Sequence, residues 1–210
     1  MGGHRLLLAE PIPSGEVVQE ISEKNLTLRI DQTPSYFVLE LPRVTHGRLV
    51  GTVLGPAGTV IDIGWDEKLF AGTRPLPFPG SLHPEWSQVD SWMLDGHARE
   101  LTTIDSRTGR YILVAVWGKG PVEFQNLRVV EEQYPVSQVG DFVSSDEFLN
   151  RVWQVGADTA QLNMVDAYVD PWRERGQWWG DAYVVDRTNR VVFGEMELLR
   201  RGGIVYGRWI

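Results

Sequence analysis

The chain of 210 residues contains no cysteine. That excludes disulfides, thiolate catalysis and cysteine-based zinc sites, but it leaves the redox compartment open. The four histidines, His4, His46, His83 and His97, are scattered and form neither a His-x-x-x-His nor a His-Glu-x-x-His pair. Local spacing therefore supports no metal site. No serine stands in a Gly-x-Ser-x-Gly elbow, so serine hydrolase chemistry has no warrant. Residues 55–58, Gly-Pro-Ala-Gly, are followed by no Gly-Lys-Ser/Thr and are not a phosphate loop. No apolar run is long enough to span a bilayer, and Leu6, Leu7 and Leu8 before Glu10 are too few for a secretory signal. A cytoplasmic product is the expectation, with no membrane partner. Basic charge is also scarce, with 20 Lys and Arg against 28 Asp and Glu and a formal charge of −8. Nucleic acid is thereby disfavoured, and a neutral or small substrate is expected.

What the chain does have is aromatic and β-branched residues in short runs. Residues 36–41, 48–54, 59–65, 89–94, 99–104, 111–117 and 122–130 are such runs, separated by Gly, Pro, Asp and Asn. Alternation of side-chain type in 36–41 and 111–117 fits strands with one buried face. Seven short strands without a long helical stretch predict an antiparallel β-sandwich over residues 35–139, with residues 1–34 an extension or its first strands. Turn chemistry at Gly55–Gly58, Asp95-Gly96 and Gly118-Lys119-Gly120 supports it. The proline-rich 75–80 segment belongs to a loop.

Near residue 140 the period changes. Ser144-Ser-Asp-Glu147 fits a capping box. Phe148, Leu149, Val152, Trp153, Gly156, Thr159 and Ala160 then recur at helical spacing, which predicts a helix over 146–164. A second helix is predicted over 187–201, and the tail 202–210 reads as non-helical. The fold class is thus β followed by α, in two domains.

Between these helices, Asp170-Pro171-Trp172-Arg173-Glu174-Arg175-Gly176-Gln177-Trp178-Trp179-Gly180-Asp181 holds three acids, two arginines and three of the nine tryptophans. Desolvation by indoles raises a carboxyl pKa, and a neighbouring guanidinium lowers it. Such a setting can keep one acid protonated beside ionised ones, as glycoside cleavage requires. The same residues also suit plainer roles: Arg173-Glu174-Arg175 as a solvated charge run, and Trp178-Trp179 as cover for a core. Glu67, at the end of the 59–67 run, fits either the rim of a site or a solvated strand end.

This segment resembles the hallmark of the bacterial α-L-rhamnosidase family, roughly Asp-Cys-Pro-x-Arg-Glu-Arg-x-Gly-Trp-x-Gly-Asp. Gly140-Asp-Phe-Val-Ser-Ser-Asp-Glu-Phe-Leu-Asn-Arg-Val-Trp153 is similar to the start of the family's helical barrel. Tyr36-Phe-Val-Leu-Glu-Leu41, Gly58-Thr-Val-Ile-Asp-Ile-Gly-Trp-Asp-Glu67, Asp95-Gly96 and Arg110-Tyr-Ile-Leu-Val114 are similar to its sandwich. The resemblance covers about residues 35–200. It implies that residues 140–210 begin an (α/α)6 barrel and that the activity is inverting hydrolysis of terminal α-L-rhamnosides. Glu174 would be the general acid, Asp170 and Asp181 would hold sugar hydroxyls, Arg173 would orient the acid or the sugar, and Trp178 or Trp179 would wall the pocket. No cofactor is implied.

The sequence departs from the hallmark in two ways. Asp170 precedes Glu174 by four positions, one fewer than in the hallmark, and the hallmark Cys is absent. The family's general base, by the same resemblance, lies far downstream of this segment, so the chain reads as a truncated member, inactive as 210 residues. Two other functions remain open: a non-catalytic carbohydrate-binding sandwich, and a related helical-barrel glycosidase for another sugar.

Overall fold

The structure is a computed structural model that describes residues 5–11, 17–21, 26–31, 33–68, 88–173 and 175–207. The proline-rich 75–80 segment, His83 and Glu174 lie outside the described residues. The chain divides into two compact units, Met1–Glu131 and Glu132–Ile210.

Among the described residues of the first unit, nine antiparallel strands form one hydrogen-bonded sheet, β1 (Arg5–Pro11), β2 (Val17–Ile21), β3 (Leu26–Ile30), β4 (Ser35–Leu54), β5 (Val60–Asp66), β6 (Val89–Met93), β7 (Arg99–Thr102), β8 (Arg107–Trp117) and β9 (Val122–Glu131). The organising strand is β4. Its first half pairs with β1 and β8, and its second half pairs with β9 and β7. Two layers result, β1-β4-β8-β5-β6 and β2-β3-β9-β4-β7, joined through one continuous strand.

The sequence predicts two strands over 36–41 and 48–54, whereas the structure runs one strand through both. Proline has no N–H to give a ladder, so a break at Pro42 is the natural expectation. The ladder absorbs Pro42 instead, through an irregularity against β8 between Glu40 and Thr45. Bulges of this kind bend a strand and sharpen its twist, which suits a strand that changes layers.

Alternation puts one face of each layer into a shared core. Leu26, Leu28, Leu49, Leu101 and Phe124 from one layer meet Phe37, Leu39, Ile61, Ile63, Trp65 and Val114 from the other, all 1% exposed or less. Phe37 and Phe124 pack edge to face across the layers, with ring centroids 5.4 Å apart. One buried ion pair lies inside the unit among the described residues. Arg107 donates to Asp90 at 2.9 Å and to Gln88 at 3.2 Å, and both charged side chains of the pair are almost fully buried.

The second unit carries three helices, α1 (Glu147–Leu162), α2 (Trp179–Val192) and α3 (Glu197–Gly207). Asp146, not Ser144, caps α1: its carboxylate accepts from Phe148 N at 2.9 Å. Ser144 stands two residues earlier, where its backbone exchanges hydrogen bonds with the Asn150 amide. A carboxylate reaches the free N2 donor as readily as a serine hydroxyl, so the two cannot be told apart from residue type.

The single helix predicted over 187–201 is in fact the end of α2 and the start of α3. Gly194, at φ 67°, stops α2, and its N–H and that of Phe193 both bond to Asn189 O. This is the left-handed glycine closure of a helix C-terminus. The predicted non-helical tail is corrected as well, since α3 runs through Gly207 despite Gly202 and Gly203. Tertiary contact overrides propensity there: a Cβ at Gly202 would stand 3.1 Å from the Trp179 ring.

Candidate functional site

The residues singled out in the 170–181 segment occupy the connection between α1 and α2 and the first turn of α2, within the second unit. Asn163 ends α1 and returns its side-chain amide to Thr159 O at 2.7 Å. A tight reversal follows, in which Met164 bridges Tyr168 and Val169 N bonds to Asn163 O at 3.0 Å.

Tyr168 anchors this reversal on α2. Its hydroxyl accepts from Asn189 Nδ2 at 2.6 Å and lies 3.2 Å from Asp186 Oδ1. Asn189 also donates to Glu195 O, and Arg190 Nε donates to Asp186 Oδ2 at 2.6 Å. Burial, assisted by the nearby Asp186 and Glu195 charges, pushes the Tyr168 phenol well above its usual range, so it stays protonated. The network was not legible as a site, because Ala182, Asp186, Asn189 and Val192 form one buried stripe on α2. Its signal was two polar residues on a face that helical period assigns to the core.

Beyond Tyr168 comes the Asp170 turn. Asp170 Oδ1 accepts from Trp172 N at 3.1 Å and Arg173 N at 2.8 Å, and Oδ2 accepts from Arg173 Nε at 2.9 Å and Nη2 at 2.6 Å. Burial acts to raise the Asp170 pKa. The Arg173 N–H, its guanidinium and the Trp172 N–H together outweigh burial and hold the carboxyl below its usual range. It is ionised at neutral pH. Trp172 is partly buried, and its Nε1 has no hydrogen-bond partner among the described residues.

Arg175, at φ 52°, is a non-glycine residue in the left-handed region. That conformation costs about 1–3 kcal/mol and persists where the surroundings impose it. Gly176 then lets the chain pass the Trp178 ring, which a Cβ there would approach to 3.3 Å. Trp178 begins α2 without a side-chain cap and is half exposed. Trp179 points the other way, against the small core of Met164, Tyr168, Ala182 and Leu198. Asp181 is exposed in the first turn of α2, where the helix dipole favours a negative charge.

The structure therefore gathers Asp170, Arg173 and Trp178 around one connection with Asp181 at its end, and it assigns Trp179 to packing. Glu67 is exposed at the end of β5, in the other unit. No group of His, Asp or Glu able to hold a metal occurs among the described residues. No described helix is long and apolar enough to cross a membrane.

Comparison with known proteins bears on this segment directly. Residues 137–202 match the model of the bacterial alpha-L-rhamnosidase 6 hairpin glycosidase domain. Among solved structures, the chain is similar to a GH78 family rhamnosidase of Bacillus sp. GL1, with 25% identity and a TM-score of 0.63 over 90% of this chain and 19% of that one. It is also similar in fold to a rhamnosidase from Klebsiella oxytoca solved with rhamnose bound, with 20% identity and a TM-score of 0.55 over 95% of this chain and 43% of that one. An alpha-L-rhamnosidase from Dictyoglumus thermophilum gives 18% identity and a TM-score of 0.54, over 85% of this chain and 20% of that one. No curated protein matches the chain. The chain thus spans between 19% and 43% of the length of these structures. The helical part of the chain is thus similar to the start of the bacterial alpha-L-rhamnosidase 6 hairpin glycosidase domain, and the whole chain is similar in fold to part of a GH78 family rhamnosidase.

Proposed function

We propose that this chain supplies the acid-bearing half of an inverting α-L-rhamnosidase site, with Glu174 the general acid that protonates the leaving glycosidic oxygen. The observation that carries the reading is that the acid- and indole-rich segment 170–181 lies inside the stretch matched by the family's glycosidase domain. Asp181 and Trp178, downstream of the acid in sequence, serve as sugar-binding groups, Trp179 packs against the core beneath α2, and the Asp170–Arg173 pair precedes the acid in sequence. Tryptophan offers a flat apolar face to the C–H side of a pyranose, and a carboxylate beside it accepts hydroxyl hydrogen bonds.

Inversion needs a second carboxylate, roughly 6.5–9.5 Å from the acid, to activate water on the opposite face of the ring. No residue of this chain is assigned that part. On this reading residues 1–210 bind α-L-rhamnosides and do not turn them over.

Purified chain, titrated with L-rhamnose and assayed on an aryl α-L-rhamnoside, tests the reading. Amide shifts from rhamnose in the 170–181 connection, without turnover, are expected. Turnover by the isolated chain would refute its inactivity. Glycan binding that survives removal of residues 140–210 would favour a carbohydrate-binding sandwich instead. Where hydrolysis can be followed, Glu174→Gln is expected to lower kcat by at least the 10²–10⁴-fold range typical of a lost general acid, and an unchanged rate would remove Glu174 from that role.

A further inference from the structure

The helical unit holds an open cavity of about 660 Å³, lined by residues of α3, by Val165 and Asp166 of the reversal after α1, and by Tyr134. Its volume falls within the usual range of small-molecule pockets. Among the described residues, none of the 170–181 segment lines it.

The floor of this cavity is apolar. Val165 and Ile204 line it together with Leu198, a member of the buried cluster of the unit, and the Tyr134 ring packs against the same cluster. Burial, with the charge and hydrogen bonding of Glu195 beside it, pushes the Tyr134 phenol up, so the phenol stays neutral at physiological pH.

The rim is charged but balanced. Arg201 Nη2 donates to Asp166 Oδ2 at 3.1 Å, and Arg200 Nε donates to Glu197 Oε2 at 2.7 Å. Two cations and two anions leave no net charge. Each pair engages one carboxylate oxygen only, so Asp166 Oδ1 and Glu197 Oε1 accept no hydrogen bond among the described residues, and both guanidinium groups keep unused N–H donors. Exposed pairs of this kind add little to stability, because water screens the attraction and two long side chains lose freedom. The Asp166–Arg201 pair is of this kind, with side chains 80% and 51% exposed.

The balance decides what such a rim can hold. A charged ligand would have to break one pair and strand the other member of it. A neutral molecule with several hydroxyls can donate to the open carboxylate oxygens, accept from the guanidinium groups and leave both pairs intact. Its C–H face then lies on Ile204 and the Tyr134 ring.

We propose that this cavity is a binding site separate from the 170–181 connection, and that it takes a neutral polyhydroxylated ligand, a sugar unit or a polyol, across the Asp166–Arg201 and Glu197–Arg200 pairs. It goes beyond the reading of Glu174 as a general acid and does not depend on it.

The test uses the whole 210-residue chain, ¹⁵N-labelled, titrated separately with D-glucose, D-sorbitol and inorganic phosphate. The amides of Asp166, Arg200, Arg201 and Ile204 should move together with one midpoint for a neutral probe and stay still with phosphate. Shifts from glucose alone would assign the site to a ring, and shifts from sorbitol as well would assign it to any hydroxyl chain. No shift from either neutral probe, or a stronger response to phosphate, would overturn the proposal. Asp166→Asn alters a solvent-exposed side chain, so the fold should be kept. It should lower neutral-probe affinity about tenfold and let phosphate bind at the freed Arg201. Unchanged affinity for both probes would remove the pair from the site and overturn the proposal. Trp178→Ala should leave the shifts as they are, and their loss would assign them to the 170–181 connection instead. Shifts at Asp166 and Arg201 that persist where L-rhamnose moves nothing in 170–181 would refute the rhamnoside reading and leave this one standing.

Discussion

The two units solve the problem of burying apolar surface in opposite ways. Among the described residues of the sheet unit nineteen buried apolar residues form one cluster, and both layers contribute to it. In the helical unit the buried cluster has four members, Met164, Tyr168, Ala182 and Leu198. The surfaces mirror this. Phe148, Leu149, Val152 and Val155 on α1, and Tyr183, Val184 and Val191 on α2, all stand exposed, whereas α1 itself buries only Ala157 and Ala160. Alternating strands fold one sheet onto its own apolar face, so its core is complete within the unit. An amphipathic helix needs another element against its stripe, and three helices leave much of that stripe uncovered. Order in the helical unit rests correspondingly more on specific polar ties, the Tyr168 network and the Asp170 turn among them.

The largest expected effect comes from removing a side chain that joins the two sheet layers. Phe124→Ala empties the edge-to-face contact with Phe37 and should destabilise the sheet unit by about 3–5 kcal/mol in urea unfolding. A loss below about 1 kcal/mol would mean that the layers do not share this core. Close behind it, Arg107→Met leaves the buried Asp90 carboxylate without its cation and should cost about 3–5 kcal/mol. Restoring neutrality with Asp90→Leu in the same chain should recover much of that loss, because the penalty lies in the uncompensated charge and not in the absence of the pair.

A smaller effect is expected from the polar tie in the helical unit. Tyr168→Phe keeps the ring in its apolar cluster but leaves Asn189 Nδ2 with one acceptor fewer and Asp186 Oδ1 without the phenol. About 1–3 kcal/mol is the usual cost of stranding such buried groups. Amide exchange should accelerate over 163–173 and leave the sheet unit unaffected. Equal acceleration in both units would show that the Tyr168 network is not local to the site.

How much of this was written in the sequence follows the same division. Short runs of β-branched and aromatic residues bounded by turn residues made β5 through β9 legible to within a few residues. Continuity of β4 was not, because Pro42 is a breaker by every local rule and only the partner strand shows that the ladder closes around it. In the helical unit α1 was legible from its stripe. The start of α2 was hidden, since Trp178, Trp179, Gly180 and Asp181 read as chemistry before they read as a helix N-terminus. Its end was hidden by Val191, Val192, Met196 and Leu198, which keep helical spacing across a break that Gly194 makes by adopting a positive φ. The candidate site was legible as a cluster of residue types, but not as a set of roles. That Asp170 accepts from Trp172 N, Arg173 N and the Arg173 guanidinium depends on hydrogen-bond directions that residue order does not encode.

The smallest expected effect probes the exposed stripe of α1. Phe148 is 70% exposed and Val152 is 52% exposed, and they stand one helical turn apart. Changing either to Ser removes apolar surface that is already in water, so stability should change by no more than about 0.5 kcal/mol. What should change is the behaviour of the surface. An apolar stripe of this size favours association, so the double change Phe148→Ser/Val152→Ser should lower binding of a hydrophobic dye and reduce self-association in sedimentation. The same double change made at Leu28 and Phe124 in the sheet unit should prevent folding, since both are fully buried. A loss of more than about 2 kcal/mol from the α1 pair would mean that these side chains are packed in solution, and the contrast between a self-contained sheet unit and an open helical one would no longer hold.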